Sequence, residues 1–186
     1  GLAYTWHDIE TSRSVAFAGF SDSVTGDYSA GTVQAFGEAG YRVEVGAVSV
    51  EPFASLAYVG LHTNAFAENG GAAALDVRSE TMDTAFTTLG IHLSSAFDLN
   101  GMKTTAHGSF GWRHAFGDTT PFAGHSFAGG DPFAIAGASI AEDAAIIDVG
   151  LDFDLTDNAA LGVAYRGQIA SSAQQHGFEG KLNVRF

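Results

Sequence analysis

Seven histidines are the residues of this chain best suited to proton transfer or metal binding: His7, His62, His92, His107, His114, His125 and His176. None has the i, i+4 spacing with which a helix presents two imidazoles to one zinc ion. His92 and His107 fall on adjacent predicted strands and on one polar face, so a hydrogen-bonded pair is the first reading and a metal site the second. The segment GHSFAGG (124–130) approaches the G-x-S-x-G elbow of serine hydrolases, misses it by one residue, and lies in a loop rather than on a strand-to-helix turn. With no cysteine, disulfides and thiolate metal sites are excluded. No catalytic residue, metal site or cofactor is assigned, and the chain is expected not to be an enzyme.

A second constellation is larger. Glu38, Arg42, Glu44, His92, His107, Arg113, Asp148, Asp152, Arg166, Glu179, Lys181 and Arg185 all fall on the polar parity of alternating segments. Charges of both signs on one sheet face have an ordinary use, cross-strand ion pairs that hold a wall together. They also have a functional one, an electrostatically mixed conduit around something that passes through.

The elements that must position these groups are strands. Leu89, Ile91, Leu93 and Phe97 alternate with Gly90, His92, Ser94 and Asp98; Ile147, Val149, Leu151 and Phe153 alternate with Asp148, Gly150, Asp152 and Asp154. The same period recurs at 1–12, 26–45, 48–66, 102–117, 159–171 and 176–186, which predicts eight antiparallel strands with 82–98 and 138–156. Residues 48–66 are ambiguous, because both parities carry apolar side chains. VGAV (45–48), DLNGM (98–102) and LTDN (155–158) have tight-turn chemistry. Longer loops are expected near 13–25, 67–82 and 117–140, and SSAQQ (171–175) is short where a long one is due.

Composition narrows the setting. The chain is 46% hydrophobic but only 16% charged, against about 25% for an ordinary soluble domain. A net charge of −13 argues against nucleic acid or anionic lipid bound through a basic patch. No apolar run of about 18 residues encodes a membrane-spanning helix.

Two barrels remain. In a soluble eight-stranded ligand-binding barrel the apolar face points inward. In a transmembrane β-barrel it meets lipid, and the polar face lines the lumen. The polar face mixes small residues (Gly90, Gly108, Gly150, Gly162, Ala164) with charges of both signs, as a crowded interior would. The apolar faces are about ten residues of strand long, the length of a tilted span, and Phe97, Phe116, Phe153 and Phe186 fall near strand ends like an interfacial girdle. The membrane barrel is favoured, with its last strand closing against its first.

The segments YTWHDIETSRSV, TVQAFGEAGYRV, VEPFASLAYVGLHTNAFAENGGAAALDV, TLGIHLSS, GWRHAFGD, FAIAGASIAEDAAIIDVGLDFDLTDNAALGVAYRGQ and the terminal LNVRF, in this order and spacing, resemble the translocator β-domain of autotransporters, the type V secreted proteins of Gram-negative bacteria. The resemblance implies an outer-membrane barrel of about twelve strands, of which about eight are present here. It implies an N-terminal helix in the lumen and an exported passenger as partners, with outer-membrane lipid outside. The domain would span 1–186 and lack its N-terminal part, since GLAYTWHDIE already alternates like the middle of a sheet. Leu182, Val184 and Phe186 resemble the C-terminal signal read by the barrel-assembly machinery.

Overall fold

A computed structural model describes residues 1–185. Every element is a strand: β1 (Leu2–Phe17), β2 (Phe20–Gly40), β3 (Val43–Val45), β4 (Val48–Thr63), β5 (Phe66–Ala67), β6 (Leu75–Val77), β7 (Glu80–Leu99), β8 (Met102–Gly117), β9 (Phe122–Phe127), β10 (Phe133–Ala136), β11 (Asp143–Thr156), β12 (Ala159–Ala170) and β13 (Gln174–Val184). The hydrogen-bonded order β1-β2-β4-β7-β8-β11-β12-β13 follows the chain, with β3 paired to β4, and a second sheet runs β10-β9-β6-β5.

The eight long strands are those the alternation predicts. Their tight turns follow from local chemistry. Asn100 (φ 54°) and Gly101 (φ 85°) both take left-handed backbone, as a two-residue hairpin loop matching strand twist requires, and Asp98 Oδ1 accepts the Gly101 N–H at 2.6 Å.

Three expectations need correction. No long loop occupies 13–25: β1 and β2 run on to a two-residue turn at Ala18–Gly19, where Phe17 and Phe20 stack at 4.9 Å. The segments 67–82 and 117–140 are not plain loops but carry the second sheet. Finally, β1 and β13 stand at opposite ends of the strand order, so the expected first-to-last pairing is not among the described pairs. The residue Phe186 lies outside the described residues.

The chain divides into two compact units. The first comprises 1–36, 57–85 and 116–140. In it the segment after β4 folds onto the β1–β2 hairpin: Phe66 stacks on Tyr28 at 4.3 Å, Asn69 and Thr25 exchange both backbone hydrogen bonds, and Val24, Ala30 and Ala73 are buried. The second unit comprises 37–56, 86–115 and 141–186, and holds most of the polar-face charges.

Candidate functional site: a charged polar face

Within the second unit, register decides which charges meet. Asp148 of β11 stands opposite Arg166 of β12, and Oδ2 accepts the Arg166 Nε–H at 2.8 Å. On the other side Glu179 lies diagonally from Arg166 across β12–β13, with Nη1 to Oε2 2.8 Å apart. One guanidinium therefore ties three strands.

His107 of β8 faces Gly150 of β11, so its ring rests over a residue without a side chain. A Cβ at Gly150 would collide with the His107 ring. The flanking carboxylates, two residues away in either direction, bracket the imidazole: Asp152 Oδ2 lies 3.4 Å from Nε2 and Asp148 Oδ1 4.0 Å from Nδ1. The same device recurs. Gly162 leaves room for Asp152, and Gly90 for the Phe53 ring. These three glycines are thus sockets for side chains of neighbouring strands.

The remaining groups extend the pattern. Arg42 Nε donates to Glu51 Oε2 at 2.8 Å. His92 Nε2 lies 3.4 Å from Glu38 Oε1, and its ring stacks on Phe53 at 4.1 Å. Arg113 reaches Thr88 Oγ1 (3.3 Å) and Gln168 Oε1 (3.5 Å), with its guanidinium carbon 5.9 Å from the Phe86 ring centre. Arg42, Glu51, His92, His107, Asp148 and Arg166 border a recess of about 460 Å³.

His92 and His107 are therefore not bonded to each other, contrary to the pairing expected; each turns to a nearer carboxylate instead. Glu44 stands opposite Ser49 and Lys181 opposite Gly162. The backbone N–H of Arg185 donates to the Asn158 carbonyl at 2.8 Å. The side chains of these three carry no ion pair among the described residues. Sequence reasoning missed Glu51 and Phe53, and it placed Thr88 and Gln168 on the polar parity without giving either a role. Glu51 and Phe53 lie in the stretch where both parities are apolar, which hid the alternation Ser49, Glu51, Phe53.

In the second unit the opposite face holds Leu89, Ile91, Phe110, Val149, Leu151, Val163, Phe178, Leu182 and Val184, all exposed; in the first unit Leu2, Tyr4, Trp6 and Val33 share one exposed face of the β1–β2 hairpin. Leu151 (37% exposed) and Val163 (43%) are direct partners across β11–β12 on that face. They do not meet across a closed centre, as a soluble barrel with an apolar interior requires.

Residues 1–166 match the autotransporter β-domain family. The chain belongs to that family. Autotransporter β-domains are transmembrane β-barrels of the Gram-negative outer membrane, and the exposed apolar face is accordingly the lipid-facing one. Two proteins of Serratia marcescens, each called an extracellular serine protease, are 34% and 33% identical to this autotransporter β-domain over its whole length. The chain spans only 18% of each relative. It is an autotransporter translocator domain of the outer membrane.

The lipid-facing side of β1 and β2 turns polar past Trp6, where Asp8, Glu10, Ser12 and Ser14 stand opposite Ser29, Asp27, Thr25 and Ser23. That part of the hairpin has left the hydrocarbon, because so many polar groups at membrane depth would lack partners.

Proposed function

We propose that the charged polar face lines the passage through which an N-terminal passenger is exported, and that the chain does no chemistry of its own. The observation that carries this reading is the network centred on Arg166, in which charges of both signs pair across neighbouring strands on the face turned from lipid. A wall whose charges are mutually neutralised holds its shape and offers a moving polypeptide no strongly attractive site. The lumen-lining set is Glu38, Arg42, Glu44, His92, His107, Arg113, Asp148, Asp152, Arg166, Glu179, Lys181 and Arg185.

Eight strands alone enclose a space just wide enough for their own side chains. The passage therefore belongs to a larger barrel, of about twelve strands as the family resemblance implies, to which this chain contributes about eight. The domain 1–186 is the C-terminal part of that barrel, its helix and passenger preceding it. The protease in the relatives' names is a property of those proteins, of which this chain matches 18%.

The test is charge reversal at the hub. Arg166→Glu in the full-length protein sets three carboxylates together. Passenger display at the cell surface should fall by more than the amount of inserted barrel; equal falls would leave the network a structural role only.

Leu182 and Val184 are exposed on β13, which suits recognition of the last strand by the barrel-assembly machinery through strand addition. Deleting Phe186 in the parent should lower membrane insertion more than it lowers the stability of the refolded barrel. Equal losses would count against a signal.

A further inference from the structure

Two asparagine–glycine pairs occur in this chain, Asn69–Gly70 and Asn100–Gly101. An asparagine followed by glycine is open to deamidation, because no side chain shields the backbone nitrogen that attacks the amide. The two pairs sit in opposite settings.

Asn100–Gly101 forms the tight turn between β7 and β8. Its nucleophile is engaged, since the Gly101 N–H donates to Asp98 Oδ1 at 2.6 Å. Freeing that nitrogen breaks a hydrogen bond to a carboxylate, and the same carboxylate repels the amide anion that would form.

Asn69–Gly70 lies in the segment that folds onto the β1–β2 hairpin. Asn69 is exposed, and neither its side-chain amide nor the Gly70 N–H has a hydrogen-bond partner among the described residues. The Asn69 backbone is held: its N–H donates to the Thr25 carbonyl at 2.7 Å, and its carbonyl accepts the Thr25 N–H at 2.9 Å. The second bond draws electrons from the peptide group that contains the Gly70 nitrogen, which makes the Gly70 N–H more acidic. Glycine is also required there. A Cβ at Gly70 would lie 2.5 Å from Val24 Cγ1 and 2.8 Å from the Ser23 carbonyl oxygen. The packing that seats this segment therefore builds in the reactive pair.

We propose that Asn69 is a deamidation site whose isoaspartyl product releases residues 68–73 from the β1–β2 hairpin. The Gly70 nitrogen gives its proton to hydroxide and attacks the Asn69 side-chain carbonyl carbon; the bond to the amide nitrogen breaks and ammonia leaves. One water then opens the cyclic imide at either carbonyl, giving aspartate or isoaspartate. Isoaspartate adds a methylene to the main chain and turns the Asn69 carbonyl that Thr25 holds into a free carboxylate. The Gly71 and Ala73 N–H groups, which donate to Asp22, are displaced with it.

Outer membranes carrying the full-length protein are aged at neutral pH, and peptides are analysed by mass spectrometry with fragmentation that separates isoaspartate from aspartate. In the folded protein Asn69 should convert roughly tenfold faster than Asn100 or more, the factor set by the bond to Asp98. In protein unfolded by urea the two rates should converge. Nicking of 68–75 by a broad-specificity protease should rise with age in the native protein. It should stay flat in Asn69→Gln, which keeps both backbone bonds to Thr25. Freshly made Asn69→Asp, with the charge but no added main-chain atom, should be nicked less than the aged native protein. Equal or reversed rates at the two pairs in the folded protein, or a difference that persists in urea, would overturn the site. Conversion without faster nicking, or Asn69→Asp nicked as fast as the aged protein, would overturn release by isoaspartate.

Discussion

The carboxylate of Asp22 accepts the backbone N–H of Ala73 at 2.8 Å, joining residues that lie 51 positions apart. It also accepts the N–H of Gly71 at 3.2 Å, and Arg13 from β1 donates to the Ala73 carbonyl at 2.8 Å and holds Glu68. Residues 68–73 are thereby clasped to the β1–β2 hairpin outside the membrane. Asp22→Asn and Arg13→Ala should each speed proteolytic nicking of 68–75 in intact cells, with the barrel still inserted. Unchanged nicking would show that the Phe66–Tyr28 stack alone holds the segment.

The clasp has a pH dependence. The Ala73 N–H, before any other group, holds the Asp22 carboxyl below its ordinary value of 3.8. A depressed folded pKa contributes stability that is fully present above 3.8 and is lost as pH falls through the folded value. Nicking of 68–75 by an acid-stable protease should therefore be slow at neutral pH and rise only below 3.8. In Asp22→Asn that acid-dependent rise should be smaller, and an identical profile would remove Asp22 from the account.

Leu151 meets lipid beside Val163, far from either turn of β11. Leu151→Arg should cost about 2–4 kcal/mol near the bilayer midplane, read from reversible folding into vesicles. A soluble interior would give no such dependence on depth, so moving the arginine to Leu155, near the turn, should cost less than about 1 kcal/mol.

The ring of His107 occupies the space that a Gly150 side chain would need. Gly150→Val should destabilise the barrel, and adding His107→Ala should recover part of the loss. A coupling of about 0.5–3 kcal/mol is expected for residues in contact. Strict additivity in the double-mutant cycle would deny the contact.

Gly101 takes φ 85° in the turn between β7 and β8. Gly101→Val should cost about 1–2 kcal/mol, the penalty of left-handed backbone for a residue with a Cβ. Gly180, with extended backbone and open space around it, should accept alanine with far less effect.

The long strands were legible because a wall between lipid and an enclosed polar side imposes period two on every span. Legibility failed where that contrast stops. Past Trp6 the lipid-facing side turns polar with Asp8 and Glu10, while the other side mixes Ile9, Val15 and Val24 with Arg13 and Asp22, so the apolar parity changes sides and 13–25 reads as loop. The second sheet was hidden for the same reason, its strands β5 and β6 being two and three residues long. Parity assigns a residue to a face but leaves its partner open. Whether Asp148 meets Arg166 or its neighbour depends on a register that one slip would move, and His92 finds Glu38 from a strand 54 residues earlier.

The sockets at Gly90, Gly150 and Gly162 bear on how such a domain drifts over generations. A glycine that houses another strand's side chain cannot change first, and its tenant cannot easily grow. Where the tenant is a side chain the two sites vary as a matched couple, so Gly150 with His107 and Gly162 with Asp152 should change together when descendants of a common ancestor are compared, whereas Gly90 also faces the Phe110 backbone carbonyl and stays fixed whatever Phe53 does.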